Sequence, residues 1–82
     1  MEVKLSKQAL KYTNSQDKPT RERLKAAFID LGKEPPVGDI APLVGRPPFL
    51  RLRIGDLRAI FYENDGIIRV VKISPRGEIY KN

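Results

Sequence analysis

The 82-residue sequence contains no cysteine and no histidine. Without cysteine there is no disulfide framework and no thiolate metal site; without histidine the commonest metal ligand and general base is missing. Imidazole chemistry is excluded, and neither a cofactor nor a metal is expected. No apolar run approaches the roughly 20 residues that cross a bilayer, and the start lacks the basic flank and apolar core of a secretory signal. The chain is therefore expected to be cytoplasmic. It shows no internal repeat and no low-complexity segment, so residues 1–82 are read as a single domain. Stability should be modest, about 4 to 12 kcal/mol for this length.

What is present is positive charge. Sixteen Lys and Arg against ten Asp and Glu give a net charge of +6, with a pI near 9.9, a balance that favours nucleic acid or another acidic partner. The excess is concentrated late in the chain: residues 42–82 hold eight basic and four acidic side chains, and six of the eight are arginines. Arginine's planar donor fork suits phosphate.

The most informative stretch runs from Phe49 to Tyr62, FLRLRIGDLRAIFY. Two apolar–polar alternating runs flank Gly55-Asp56, the usual sign of a tight β-hairpin. Pairing Ile54 with Leu57 sets Arg53 opposite Arg58, Leu52 opposite Ala59, Arg51 opposite Ile60 and Leu50 opposite Phe61, because side chains alternate faces with period two. One face is then wholly apolar, and the other gathers Arg51, Arg53 and Arg58 beside Ile60 and Tyr62, with no carboxylate among them. Opposed like charges cost some tenths to about 1 kcal/mol, which a polyanion would relieve.

Around this hairpin the sequence predicts a short strand at 2–5 and a helix over 7–14 with Ser6 as N-cap and Ala9, Leu10 and Tyr12 as its apolar positions. A second helix starts at Pro19, repeats Leu24, Ala27, Phe28 and Leu31 at helical spacing, and stops at Gly32. Its face of Arg21, Glu22, Arg23 and Lys25 reads as solvated. Five prolines crowd the connection from Gly32 to Pro48, where Asp39 is expected to cap a single helical turn through Val44, closed by Gly45 and docking Leu43 on the sheet. Asp65-Gly66 predicts a second tight turn, and 67–74 a β-branched strand ended by Pro75. A two-residue turn would set Arg69 on the arginine face, together with Val71 and Ile73. The expected architecture is α+β, in the order β-α-α-β-β-β, a small antiparallel sheet with two N-terminal helices packed on its apolar face.

The combination of LVG, LRLRIGDLRAIFYE, a short β-branched strand and a closing RGEIYK resembles the RelE and ParE superfamily of bacterial toxins over nearly the whole chain. The resemblance implies a toxin of a type II toxin–antitoxin pair, itself a monomer and neutralised by a cognate antitoxin protein. For RelE-like members it implies ribosome-dependent cleavage of messenger RNA; ParE-like members instead poison DNA gyrase. A catalytically silent RNA-binding domain is a third reading. Carried over by residue, the family's basic strand positions fall on Arg51 and Arg53, the arginine of the next strand on Arg58, and its C-terminal arginine and tyrosine on Arg76 and Tyr80.

Cleaving RNA without metal requires the ribose 2′-hydroxyl to attack the adjacent phosphorus, with charge building on the phosphoryl oxygens. Guanidinium groups suit that charge, each preorganised donor contributing roughly 3 to 4 kcal/mol. Arginine is a poor base near neutrality. RelE itself has lysines where this chain has Arg51 and Arg53, so the base stays open, with Lys72 and Glu78 as candidates and Tyr80 as a stacking or orienting group.

Overall fold

The computed structural model describes residues 1–75. The elements are β1 (Glu2–Leu5), α1 (Lys7–Ser15), α2 (Lys18–Leu31), β2 (Asp39–Pro42), β3 (Leu50–Ile54), β4 (Leu57–Asn64) and β5 (Ile67–Pro75). They build one five-stranded sheet in the order β1-β5-β4-β3-β2, antiparallel throughout except where β1 runs parallel to β5. The α+β class and the helix-covered sheet are as expected, with one strand more than the sequence suggested.

Both helices begin where their caps dictate. The Ser6 Oγ accepts from Ala9 N at 3.1 Å and donates to the Val71 carbonyl at 2.8 Å, so the α1 cap is also stitched to β5. Asp17 caps α2 by accepting from Thr20 N at 3.2 Å. The Thr20 hydrogen bonds, first through its side chain and then through its backbone, hold the Asp17 carboxyl below its usual range. Pro19 sits in the first turn of α2, and Leu24, Phe28 and Leu31 turn inward. On α1, Leu10 differs from the expectation and is 51% exposed. Its buried partner to Ala9 is Thr13, one helical turn on, whose hydroxyl is satisfied by the Ala9 carbonyl at 2.9 Å. Gly32 ends α2 where the chain start crosses it: a Cβ there would lie 2.8 Å from the Met1 carbonyl oxygen.

The β3–β4 hairpin has the register read from the alternation, from Ile54↔Leu57 to Leu50↔Phe61. Leu52, Ile54, Ala59 and Phe61 pack under the helices with Ile68, Val70 and Ile73. The turn at 65–66 is type I′ in sign, Asp65 and Gly66 both having positive φ.

Three expectations are corrected. Asp39 does not cap a helical turn; it opens β2, which pairs with β3 and extends the sheet, and the turn follows at 43–46, with Leu43 docking as expected. The pairing Asp39↔Arg53 also brings a carboxylate onto the arginine face, contrary to the reading that none sits there. Ile73 does not share that face. The β4–β5 register shifts between Ile60 and Phe61: Phe61 pairs with Val70 but Ile60 pairs with Lys72. This bulge leaves Val71 as the extra residue and turns everything after it over. Ile73 goes to the core, and Lys72 and Ser74 take its place on the arginine face.

The bulge has a visible support. Gln8 donates its side-chain amide to the Ile73 carbonyl and accepts from Ile73 N, both at 3.0 Å. Where β1 has ended, one side chain thus continues the pairing along the edge of β5.

Candidate functional site

The face away from the helices is ordered in cross-strand rows. One row reads Asp39, Arg53, Arg58 and Ser74 across β2, β3, β4 and β5. The next, a little under 7 Å along the strands, reads Ala41, Arg51, Ile60 and Lys72. Beyond it an apolar patch forms a second small core, in which Leu43 and Ile60 are buried and Phe49 and Val71 pack against them. The Tyr62 ring meets Phe49 edge to face at 5.5 Å. A last row, Tyr62, Arg69 and Lys4, crosses β4, β5 and β1.

The three strand arginines are brought together but are not equivalent. Arg51 is half-buried and donates to the Asp39 carbonyl at 3.3 Å, with its Nη1 3.5 Å from the Asp39 carboxylate. That ion pair is exposed and weak, worth about 0 to 1 kcal/mol. Arg53 is exposed and, among the described residues, makes no ion pair.

Arg58 is only 6% exposed, although it was expected to stand on an open surface. Its Nη1 reaches back to the carbonyls of Gly55 and Leu57 at 3.4 and 3.2 Å. Among the described residues its Nε is buried with no partner, and so is the Oγ of Ser74, directly opposite in the register and 4% exposed. Leaving a buried polar group unpaired costs about 1 to 3 kcal/mol, more for a charged one. Two such atoms on facing residues of one row form a buried polar seat, closed to solvent as it stands, whose donor and hydroxyl meet an outside acceptor only once it is uncovered. Neither Ser74 nor the placement of Lys72 was legible while β5 was read as an unbroken strand. The doublet Val70-Val71, where alternation slips by one, is the signal that marks the bulge.

Arg76 and Tyr80 lie outside the described residues. Among the described residues, no three His, Cys, Asp or Glu side chains come together as a metal-binding group. Among the described residues no helix is long and apolar enough to cross a membrane.

Comparison with known proteins adds the family. Residues 3–80 match the model of the ParE toxin of the type II toxin–antitoxin system parDE. No curated protein matches the sequence. Among solved structures, the chain is 32% identical to one in the archaeal RelE-RelB complex from Pyrococcus horikoshii OT3, with 93% of this chain and 94% of that one covered and a TM-score of 0.78. A chain of the RelB-RelE antitoxin-toxin complex from Methanococcus jannaschii is 20% identical, with 93% of each chain covered and a TM-score of 0.74. One from the intact E. coli RelBE toxin-antitoxin complex is also 20% identical, covering 90% of this chain and 94% of that one at a TM-score of 0.70. The last two bear on the fold alone.

Proposed function

From the premise that the chain belongs to the RelE/ParE superfamily and is the toxin of a type II toxin–antitoxin system, we propose that it is a ribosome-dependent endoribonuclease that cuts messenger RNA without a metal. The observation that carries this reading is the clustering of Arg51, Arg53 and Arg58 in adjacent cross-strand rows, with the Nε of Arg58 and the Oγ of the facing Ser74 buried and unpaired among the described residues.

In the proposed reaction the 2′-oxygen bonds to phosphorus, the 5′-oxygen of the next nucleotide leaves, and a 2′,3′-cyclic phosphate remains. Negative charge grows on the phosphoryl oxygens. Arg58 and Arg53 stabilise it by donating to those oxygens, Arg51 contributes less because Asp39 already holds it, and the Ser74 hydroxyl adds a neutral donor. The proton of the 2′-hydroxyl goes to a base, for which Lys72 on the same face and Glu78 are the candidates, and the departing 5′-oxygen takes a proton from water to leave as a hydroxyl; Arg76 and Tyr80 complete the site in this reading. A weak base is tolerable when the ribosome orients the 2′-hydroxyl for in-line attack, since orientation alone supplies several kcal/mol. The partners are a cognate antitoxin, which covers the cationic face of a monomeric toxin, and the translating ribosome with its messenger.

The match to the ParE model favours a second reading, a gyrase poison, which would use the same face for protein binding. Mapping RNA 5′ ends after induction, alongside a plasmid supercoiling assay, separates them. Cuts within translated codons are expected. Intact transcripts with gyrase-linked DNA damage would establish the second reading, and intact transcripts with undamaged DNA a silent binding domain.

A further inference from the structure

The arginine row is not the whole of the cationic surface. Roughly 13 Å along β4 from Arg58, past the patch of Leu43, Ile60 and Phe49, the face ends in a concavity of about 150 Å³ lined by Lys4, Ser6, Tyr62, Arg69 and Val71 among others. Lys4 and Arg69 are opposed in the β1–β5 ladder, and Tyr62 is opposed to Arg69 in the next. Among the described residues neither cation has an ion-pair partner, and the carboxylate on the same side of β1, Glu2, pairs with neither. Opposed like charges without a counter-ion are unfavourable, so the position asks for an anion. The volume lies below the roughly 300 Å³ at which whole small molecules are enclosed; it suits one end group of a longer ligand.

A chain with an anionic backbone and flat apolar groups fits what lies between the two ends: cations at each rim and an aromatic-apolar platform in the middle, the pattern by which single strands are held. We propose that the Lys4–Arg69–Tyr62 pocket is a second nucleotide subsite, taking the phosphate and base of single-stranded RNA about two nucleotides away from the one bound at Arg58. Lys4 and Arg69 hold the phosphate, and the base lies against Tyr62, whose ring is fixed by Phe49. The inference rests on the reading of this face as an RNA surface.

The test is fluorescence anisotropy on the purified full chain with a labelled dinucleotide, too short to reach both sites, and a labelled nonanucleotide, both unpaired, over a salt series. Wild type is expected to bind the nonanucleotide more tightly and with a steeper dependence of affinity on salt, each neutralised phosphate adding about 0.7 to the slope. Lys4→Gln with Arg69→Gln should remove that advantage, lowering nonanucleotide affinity about 3- to 10-fold and the slope by about 0.7 to 1.4. Tyr62→Leu should lower affinity about 5-fold or more with the slope unchanged, since stacking carries no counterions. Lys4 is exposed and Arg69 half-buried, and melting curves check that the fold is kept; Lys4→Gln alone serves if the double variant melts early. A length advantage that survives the double variant overturns the subsite while leaving the Arg58 site standing. No binding of free RNA by wild type overturns the subsite, while the ribosome-dependent cleavage is decided separately by the mapping of 5′ ends. Unchanged RNA binding with weakened binding of an antitoxin reassigns the pocket to protein contact and also overturns the subsite.

Discussion

The two faces of the sheet are built under different constraints. Beneath the helices, Leu52, Ala59, Ile68, Val70 and Ile73 are at most 1% exposed and wholly apolar. On the other face no helix intervenes among the described residues, yet Arg58 and Ser74 are nearly as buried, each with a polar atom unpaired among those residues. The first face has the composition that burial selects. The second carries groups that weaken the fold, and local choices that oppose stability concentrate where a protein binds or reacts. In the proposed reading, stability and function are thus divided between opposite faces of the same strands.

The division is sharpest in substitutions on neighbouring strands. Leu52→Ala should empty space under the helices and cost about 3 to 5 kcal/mol, a large share of the stability of so small a domain. Urea unfolding measures it. A loss under about 1 kcal/mol would mean that the helix layer is not tightly packed on β3.

Arg58→Met should do the reverse. It keeps most of the volume while removing a buried charge that has no charged partner among the described residues, so stability should hold or rise by about 1 kcal/mol or more. The proposed cleavage, read from the density of 5′ ends in translated messenger, should fall by about 100-fold or more, as when a preorganised donor is removed. Ser74→Ala should leave stability within about 1 kcal/mol and lower cleavage about 10-fold, but have little further effect in the Arg58→Met background, because the two residues serve one oxygen acceptor. Full additivity would separate them. Loss of the fold in Arg58→Met would show that its bonds to the Gly55 and Leu57 carbonyls are structural, and that the faces are less divided than the geometry suggests.

The same contrast explains what could be read from the chain alone. The hairpin register was legible because strict alternation runs into a Gly-Asp turn on both sides, which leaves one pairing that keeps the apolar residues together. The helix caps and the Leu24, Phe28 and Leu31 stripe were legible for equally local reasons. The helix-free face was not. Its second small core uses Leu43 from a proline-rich segment, and its counter-ion Asp39 comes from a four-residue strand whose reason to exist is a partner strand eight to fourteen residues away. The seat depends on a bulge in a β-branched run where two adjacent valines hide the change of period. Non-local pairing and one extra residue decide that face, and neither leaves a strong local pattern. Of the candidate residues, Arg51, Arg53 and Arg58 fall together as the register required, although Arg58 is buried and Arg51 partnered.

Gln8 links the two faces, because its side chain holds Ile73 in the core and, one residue on, Ser74 in the seat. Gln8→Ala removes two hydrogen bonds, each worth about 0.5 to 1.5 kcal/mol, so a loss of about 1 to 2 kcal/mol is expected in urea unfolding. Amide exchange at Ile73 and Ser74 should quicken more than at Val70, which lies before the bulge. Uniform quickening along β5 would show that the bulge holds without its clamp.

The smallest effect belongs to the helix side alone. The Asp17 carboxyl is held below its ordinary range by the Thr20 side chain, then by the Thr20 backbone, with a further contribution from Arg23. A carboxyl whose folded-state pKa is depressed stabilises the fold above its unfolded pKa, and that contribution is lost as pH falls through the folded-state value. Asp17→Asn keeps an acceptor for Thr20 N but cannot titrate. Wild type should therefore melt slightly above the variant at neutral pH, and the two curves should converge in acid. Because the group is fully exposed, the difference should be small and shrink further with salt, which screens Arg23. Cleavage at neutral pH should be unchanged, since Asp17 lies at the start of α2 on the opposite side of the sheet from Arg58. A melting difference that persists below the carboxylate range would assign the stabilisation to cap geometry, and a fall in cleavage would couple the helix layer to the site and undo the separation of the faces.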